Sequence, residues 1–375
     1  MDFFKSKFIK TLPELWKGSA ISHETTLHQL SPYIGKMKSS MAGSLVFAIT
    51  EKGETIYDPF SGSGTIALEA WRHGRNVISN DLSPYAYLLT NAKLNPYYSV
   101  EEANNEMLAV VKEVEVLLPK IDLRKIPQWV KAFFHRETLR EIIAWATILK
   151  EKKMYFLLSC LMGILHHQRP GFLSFPSSHT VPYLREKKFP RSIYPELYMY
   201  RSIYDRLLKK VTRALSCLPN LDFSLHRRCY MKDAVKLTPD KKVDAIITSP
   251  PYMRQLDYAR DNRLRLWFLE KSDYKTLDKK ISPAESNFLN LMYSCLRNWK
   301  RVLKPKGICI LVLGNTLSKV YGASLPEAVE YIATREIGGY KKLFSHTETI
   351  PDDRRVRRGY SGCKGETVLV LQNKG

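Results

Sequence analysis

Glu54–Asp81 reads ETIYDPFSGSGTIALEAWRHGRNVISND. A short β-branched and aromatic run ends at Asp58, a Gly-rich turn follows, an amphipathic stretch runs to Arg72, and a second apolar run closes on Asp81. Strand, tight turn, helix and strand in this order are the opening of a doubly wound α/β fold, with the turn at the carboxyl end of the first strand. Gly62 and Gly64 supply backbone freedom there, so that N–H groups can approach a ligand that a Cβ would exclude. The P-loop signature is absent and the triple-glycine dinucleotide fingerprint is incomplete. Asp81 stands where an acid accepts hydrogen bonds from ribose hydroxyls in nucleoside-binding α/β folds, and Asp81-Leu82-Ser83-Pro84 also suits a helix start.

Working outward, VDAIIT (Val243 to Thr248) is a continuous apolar run suited to a parallel strand buried on both faces. A helical stretch from Phe288 to Val302 precedes LKPKG, read as a turn, and then the strand ICILVLGN; ETVLVLQNKG closes the chain as another strand. The pattern predicts one mostly parallel α/β sheet of the seven-stranded type, with helices on each face. Residues 99–228 break the rhythm with long helix-compatible segments and read as a mainly helical insertion. It divides a cofactor-binding half, 1–98, from a catalytic half, 229–375. Within it, RPGFLSFPSSHTVPYLREKKFPRSIYP cannot be continuous helix and is expected as an ordered loop over the sheet's edge.

At the end of VDAIIT stands Ser249-Pro250-Pro251-Tyr252. Two prolines remove two backbone donors and stiffen the chain, leaving carbonyl acceptors aimed from the sheet end. The Ser249 hydroxyl and the Pro250 carbonyl can bind the two hydrogens of an amino group and direct its lone pair at a donor. Tyr252 can stack on a base extruded from a duplex.

The 375 residues carry 59 Lys plus Arg against 37 Asp plus Glu, a formal charge of +22, which favours a polyanionic partner and points first to nucleic acid. With 44% hydrophobic and 26% charged residues the chain has the composition of a globular protein. Six scattered cysteines form no C-x-x-C pair, fitting a reducing cytoplasm; Cys160 with His166, His167 and His179 lacks zinc spacing, so no metal is expected. The three histidines read as helix-end or polar-niche residues in preference to catalysts. The amphipathic N-terminus, MDFFKSKFIKTLPELWKG, lacks the apolar stretch of a signal peptide, and no window approaches a membrane span.

DPFSGSG and SPPY together resemble the amino-methyltransferases of DNA. The resemblance extends to HQLSPYIGKMKSSMAGSLV (His28 to Val46), to YMKDAVKL, to RVLKPKGICILVLGN and to ETVLVLQ, about half of the chain at its two ends. It implies S-adenosylmethionine as cofactor, held by Tyr33, Lys36, Asp58, Pro59, Phe60, Ser61, Gly62, Gly64, Thr65, Asp81, Leu82, Asp233 and Ala234. It implies Ser249, Pro250, Pro251 and Tyr252 as the catalytic motif, with serine in first place resembling the N4-cytosine subgroup, and N6-adenine as the alternative. The implied partner is double-stranded DNA in a prokaryotic restriction-modification system, with the nuclease encoded separately.

Phosphate contacts are expected from Arg254, Arg260 and Arg263 after the SPPY motif and from Arg354, Arg355, Arg357 and Arg358 in a basic loop. A solvated helix face is the alternative for the first group. The central insertion departs from the simplest family arrangement and leaves open whether it, the run Arg254 to Arg265, or both read the target. Two rival functions are an RNA amino-methyltransferase, for which Ser249 replaces the expected Asp and only about fifty residues precede the first strand, and a non-catalytic nucleic-acid binder on the same fold. Intact glycines, Asp81 and SPPY speak against the latter.

Overall fold

The computed structural model describes residues 24–179, 181–251, 257–278, 284–350, 363 and 365–375. Seven strands form the main sheet: β1 (Thr55–Asp58), β2 (Asn76–Asn80), β3 (Arg227–Tyr230), β4 (Val243–Thr248), β5 (Leu303–Gly314), β6 (Tyr340–Thr349) and β7 (Gly365–Asn373). Their order is β3-β2-β1-β4-β5-β7-β6. The first five run parallel, and β7 pairs antiparallel with both β5 and β6. The order reverses between β1 and β4, and the carboxyl ends of strands at such a switch point form a crevice.

Alternation along the strands feeds two cores, because successive side chains in a strand point to opposite faces. Ile56, Ala245, Ile247, Ile308, Ile310, Val312, Val368 and Val370 join one apolar cluster; Tyr57, Ile246, Cys309, Leu311, Leu369 and Leu371 join the other. Against the first face lie α1 (Ser39–Ile49), α2 (Thr65–Arg72), α3 (Pro84–Leu94) and the central helices α4 (Val100–Leu117), α5 (Arg136–Glu151), α6 (Tyr155–Gly163) and α7 (Ile203–Leu215). Beyond them α8 (Arg263–Glu270) adds Leu264, Leu266 and Leu269 to the same core. The second face is covered by α9 (Glu285–Val302) and α10 (Leu325–Tyr331). On α9 the buried residues Phe288, Met292, Cys295, Trp299 and Val302 recur three and four apart, the stripe of a helix packed on one side.

Three sequence expectations change. LKPKG is the first part of β5 and no free turn; Lys306 takes a positive φ of 62° there, and the pairing with β4 shifts register between Val243 and Ala245. A bulge, not a break, absorbs the proline and glycine. Strands β3 and β6 carry too little apolar signal to be read: Arg227 and Arg228 stand in one, and β6 is mostly exposed at every second residue. Both are edge strands, where charged residues are common. The aromatic loop does not ride on the sheet's edge: Phe175 N donates to Phe133 O, Ser174 N to Leu165 O, and Arg263 to Pro182 O, which seats it on the helical layer beside α8.

Candidate active site

A cavity of about 750 Å³ opens where β1, β2, β3 and β4 end. Asp58 closes β1, Asp81 and Leu82 follow β2, Asp233 and Ala234 follow β3, and Ser249 and Pro251 follow β4; all line this one space. Four adjacent parallel strands thus deliver four loops to one crevice.

The turn after β1 is built from its own backbone. Gly64 N donates to Ser61 O at 2.7 Å and Ser61 N to Asn80 O at 2.9 Å, which folds the turn against the end of β2. Gly62 and Gly64 take positive φ of 51° and 72°, accessible to glycine at little cost. Their reasons differ. A Cβ on Gly64 would stand 2.9 Å from the Thr90 Cα, so this glycine is required by α2–α3 packing and lies away from the cavity. Gly62 faces the cavity, where a Cβ would stand 3.4 Å from the Tyr33 ring, and its N–H donates to the Asp81 carboxylate at 2.8 Å.

Asp81 accepts on both oxygens, from Gly62 N and from Ser83 N at 2.9 Å, so it braces the turn and starts α3 at once. Burial pushes its carboxyl up to about 6 despite these bonds and that of Leu82. Asp58 is 1% exposed. One of its oxygens accepts from the Thr248 hydroxyl at 2.7 Å, and Thr248 Oγ1 in turn accepts from Phe60 N at 3.2 Å, which ties the ends of β1 and β4 across the switch point. The other oxygen, Oδ2, is buried without a partner. Burial, with Asp81 nearby, pushes the Asp58 carboxyl up to about 7.

Asn80 holds the third loop: its amide donates to Pro59 O and Lys232 O, and its Oδ1 accepts from Lys232 N at 3.0 Å. Asp233 follows, with Val235 N donating to its carboxylate at 3.0 Å. On the opposite wall Tyr33 stacks on Tyr85 and meets Tyr258, with ring centroids 5.9 and 6.1 Å away. Lys36 lines the cavity but spends its ammonium on Glu24 at 3.1 Å and on His28 O at 3.3 Å. The Ser249 hydroxyl donates to Val312 O of β5 at 3.2 Å.

Of the expected cofactor residues, Tyr33, Lys36, Asp58, Phe60, Ser61, Gly62, Thr65, Asp81, Leu82, Asp233 and Ala234 share this lining; Pro59 and Gly64 stand behind it and shape the turn. Ser249 and Pro251 share it too, whereas Pro250 is buried off the wall. Tyr252, Arg254, Arg354, Arg355, Arg357 and Arg358 lie outside the described residues. Arg260 and Arg263 are not in the lining and bond instead to the Tyr183 hydroxyl and to Pro182 O. Sequence reading missed Asn287, Asn290 and Ser294, which reach the cavity from α9. Their three- and four-residue spacing opposite the apolar stripe was the available signal. Among the described residues no group of His, Cys, Asp and Glu could hold a metal, and no helix is long and apolar enough to cross a membrane.

A crevice of this size at a switch point, walled by a Gly-rich turn and three strand-end carboxylates, defines a doubly wound α/β protein that takes a nucleoside-containing cofactor. Residues 33–179 match the family described as D12 class N6 adenine-specific DNA methyltransferase. The type II methyltransferase M.MvaI of Kocuria varians is 25% identical over 403 residues, covering 85% of this chain and 84% of the relative. The type II methyltransferase M.BsoBI of Geobacillus stearothermophilus is 25% identical over 298 residues, covering 70% of this chain and 57% of the relative. Among solved structures, TrmN from Thermus thermophilus aligns at TM-score 0.37 and 14% identity over 92% of this chain and 52% of its own. These matches make the chain similar to the S-adenosylmethionine-dependent DNA amino-methyltransferases.

The residues present fit that cofactor. Asp58, whose buried Oδ2 has no partner, lines the cavity and would favour a cationic group there, and Gly62 leaves the wall without a side chain. Asp81 and Asp233 line the same cavity after β2 and β3, where they would meet the hydroxyl-bearing and base-bearing parts of a nucleoside.

Proposed function

We propose that this chain methylates the exocyclic N4 amine of cytosine in a base turned out of duplex DNA, at specific sites, as the modifying half of a restriction-modification system with a separate nuclease. The observation that carries the reading is the position of Ser249: it ends β4 on the wall of the cavity whose other strand ends carry Asp58, Asp81 and Asp233.

The bound cofactor would supply an electrophilic methyl group on a sulfonium. Everything else falls to the chain. Because the Ser249 hydroxyl donates to Val312 O, its own oxygen lone pairs are left to accept from an amine hydrogen. The second acceptor is assigned to the backbone carbonyl of Pro250, which lies between the wall residues Ser249 and Pro251 although its ring packs off the wall. Two acceptors on the two amine hydrogens set the direction of the nitrogen lone pair, and holding both reactants so removes much of the entropic barrier. The Thr248–Asp58 bond keeps that acceptor pair at a set distance from the cofactor wall. Asp58 and Asp81 favour a positively charged ligand once ionised, and Tyr252 stacks on the extruded base.

A second reading, N6-adenine as acceptor, is favoured by the family match over 33–179. That segment contains the Gly-rich turn and the helical layer and ends before Ser249, so it bears on the cofactor half more than on the acceptor motif. The test is transfer of labelled methyl to genomic DNA and, separately, to bulk RNA, followed by nucleoside digestion and mass spectrometry. N4-methylcytosine is the expected product. N6-methyladenine would move the assignment to the second reading, and label confined to RNA would overturn both.

A further inference from the structure

The central loop carries an arrangement that the cavity alone does not explain. Ser177 pairs antiparallel with Leu184, and Ser178 N donates to Tyr183 O at 2.9 Å, so the stretch doubles back on itself. It is fastened on two sides. His166, just after α6, has its ring Nδ1 3.0 Å from Ser178 O, and Arg263 of α8 donates to Pro182 O at 2.6 Å. The Arg263 guanidinium also lies over the Tyr183 ring, 5.2 Å from its centroid, and Arg260 donates to the Tyr183 hydroxyl at 3.3 Å. Arg260 belongs to the same short helix, Tyr258–Asp261, as the cavity residue Tyr258.

Tyr183 is thus tied through Arg260 to the short helix whose Tyr258 lines the cavity, and it remains 47% exposed. The two arginines fix the ring at the surface, where a stacking partner can reach it. Directly after it come Arg185, Lys187, Lys188 and Arg191, all exposed, with Glu186 alone opposing them. An ordered basic strip next to a clamped aromatic, tied to a helix that reaches the cavity, matches a nucleic-acid backbone with an open base step beside it.

We propose that Ser177–Arg191 is the element that grips duplex DNA around the acceptor base, with Arg185, Lys187, Lys188 and Arg191 on phosphates and the Tyr183 ring filling the space left by the extruded base. This rests on the DNA reading above. It makes Arg263, and in part Arg260, positioning residues that aim Tyr183, where the sequence had suggested direct phosphate contacts.

The full chain tests it on a duplex oligonucleotide containing a methylated site found by mapping wild-type products. Lys187→Ala/Lys188→Ala is expected to raise the KM for DNA about tenfold, and to flatten the log–log salt dependence of DNA binding by about 1.8, two phosphate contacts at 0.9 each. Binding of S-adenosylhomocysteine should not change. The charge-matched control is Lys341→Ala/Lys374→Ala, at the end of β6 and β7 opposite the cavity, and it should behave as wild type. Tyr183→Ala should lower kcat on paired DNA by tenfold or more and recover on a substrate mismatched at the target base, where extrusion is already cheap. Tyr183→Phe should retain the wild-type rate. Wild-type labelling of DNA with unchanged KM and salt slope in the lysine variant would overturn this inference and leave the function standing. Tyr183→Ala equally impaired on paired and mismatched DNA would overturn the role given to the ring. A wild type that labels RNA and no DNA would overturn the function, and this inference with it.

Discussion

At the residue scale the decisive group is Asp58. It ends β1, bridges to Thr248, and keeps one oxygen buried and unpartnered. Its folded-state pKa of about 7 stands above the ordinary carboxylate value of 3.8, so the fold prefers the protonated form. The stability this contributes is fully present below about pH 4 and is lost as pH climbs through about 7. In the ligand-free protein the loss is on the order of a few kcal/mol. Asp58→Asn should remove most of it: the variant's melting temperature relative to wild type should rise between pH 5 and pH 8, read by thermal unfolding at both. Cofactor affinity runs the other way. A cationic ligand prefers the ionised acids, so binding of S-adenosylmethionine to the wild type should tighten from pH 5.5 to 8. It should also release protons near pH 6.5, detected by calorimetry in buffers of different ionisation enthalpy. Ser249 is separable from all this: Ser249→Ala should cut the methylation rate 10- to 1,000-fold while leaving cofactor affinity within about twofold, the pattern of a group that addresses the acceptor.

At the element scale the Gly-rich turn contains two glycines with different duties. Gly64→Ala puts a Cβ against the Thr90 backbone at a positive φ, and should destabilise the whole fold by about 2–4 kcal/mol, measured by denaturant unfolding. Gly62→Val places its side chain toward the Tyr33 ring and the cavity, and should abolish cofactor binding in a protein that still folds. If Gly62→Val binds normally, the cavity wall has been drawn in the wrong place. Asn80 is the quieter element-scale device. Its three bonds join the ends of β1 and β2 to the loop of Asp233, and neither its type nor its position in NVISND announced this.

At the scale of the whole molecule the charge of +22 sets how binding responds to salt. Raising salt from 50 to 200 mM should weaken DNA affinity by two orders of magnitude or more, while S-adenosylhomocysteine affinity barely moves, since that ligand is no polyanion and its site carries Asp58, Asp81 and Asp233. The sequence by itself determined the parts whose physics is local. The turn after Asp58 needs glycines at particular steps, the two faces of a central strand must alternate between two apolar cores, and a double proline after an apolar run leaves acceptors at a strand end. Edge strands β3 and β6 escaped because half of each faces solvent and carries the arginines and lysines that an edge tolerates. Only the tertiary structure decided which distant residues meet. It brought Thr248 onto Asp58, turned the polar stripe of α9 toward the cavity, and clamped Tyr183 between Arg260 and Arg263. Each of these contacts joins segments that are far apart along the chain, and their meeting depends on strand order and helix packing, which no local pattern of residues encodes.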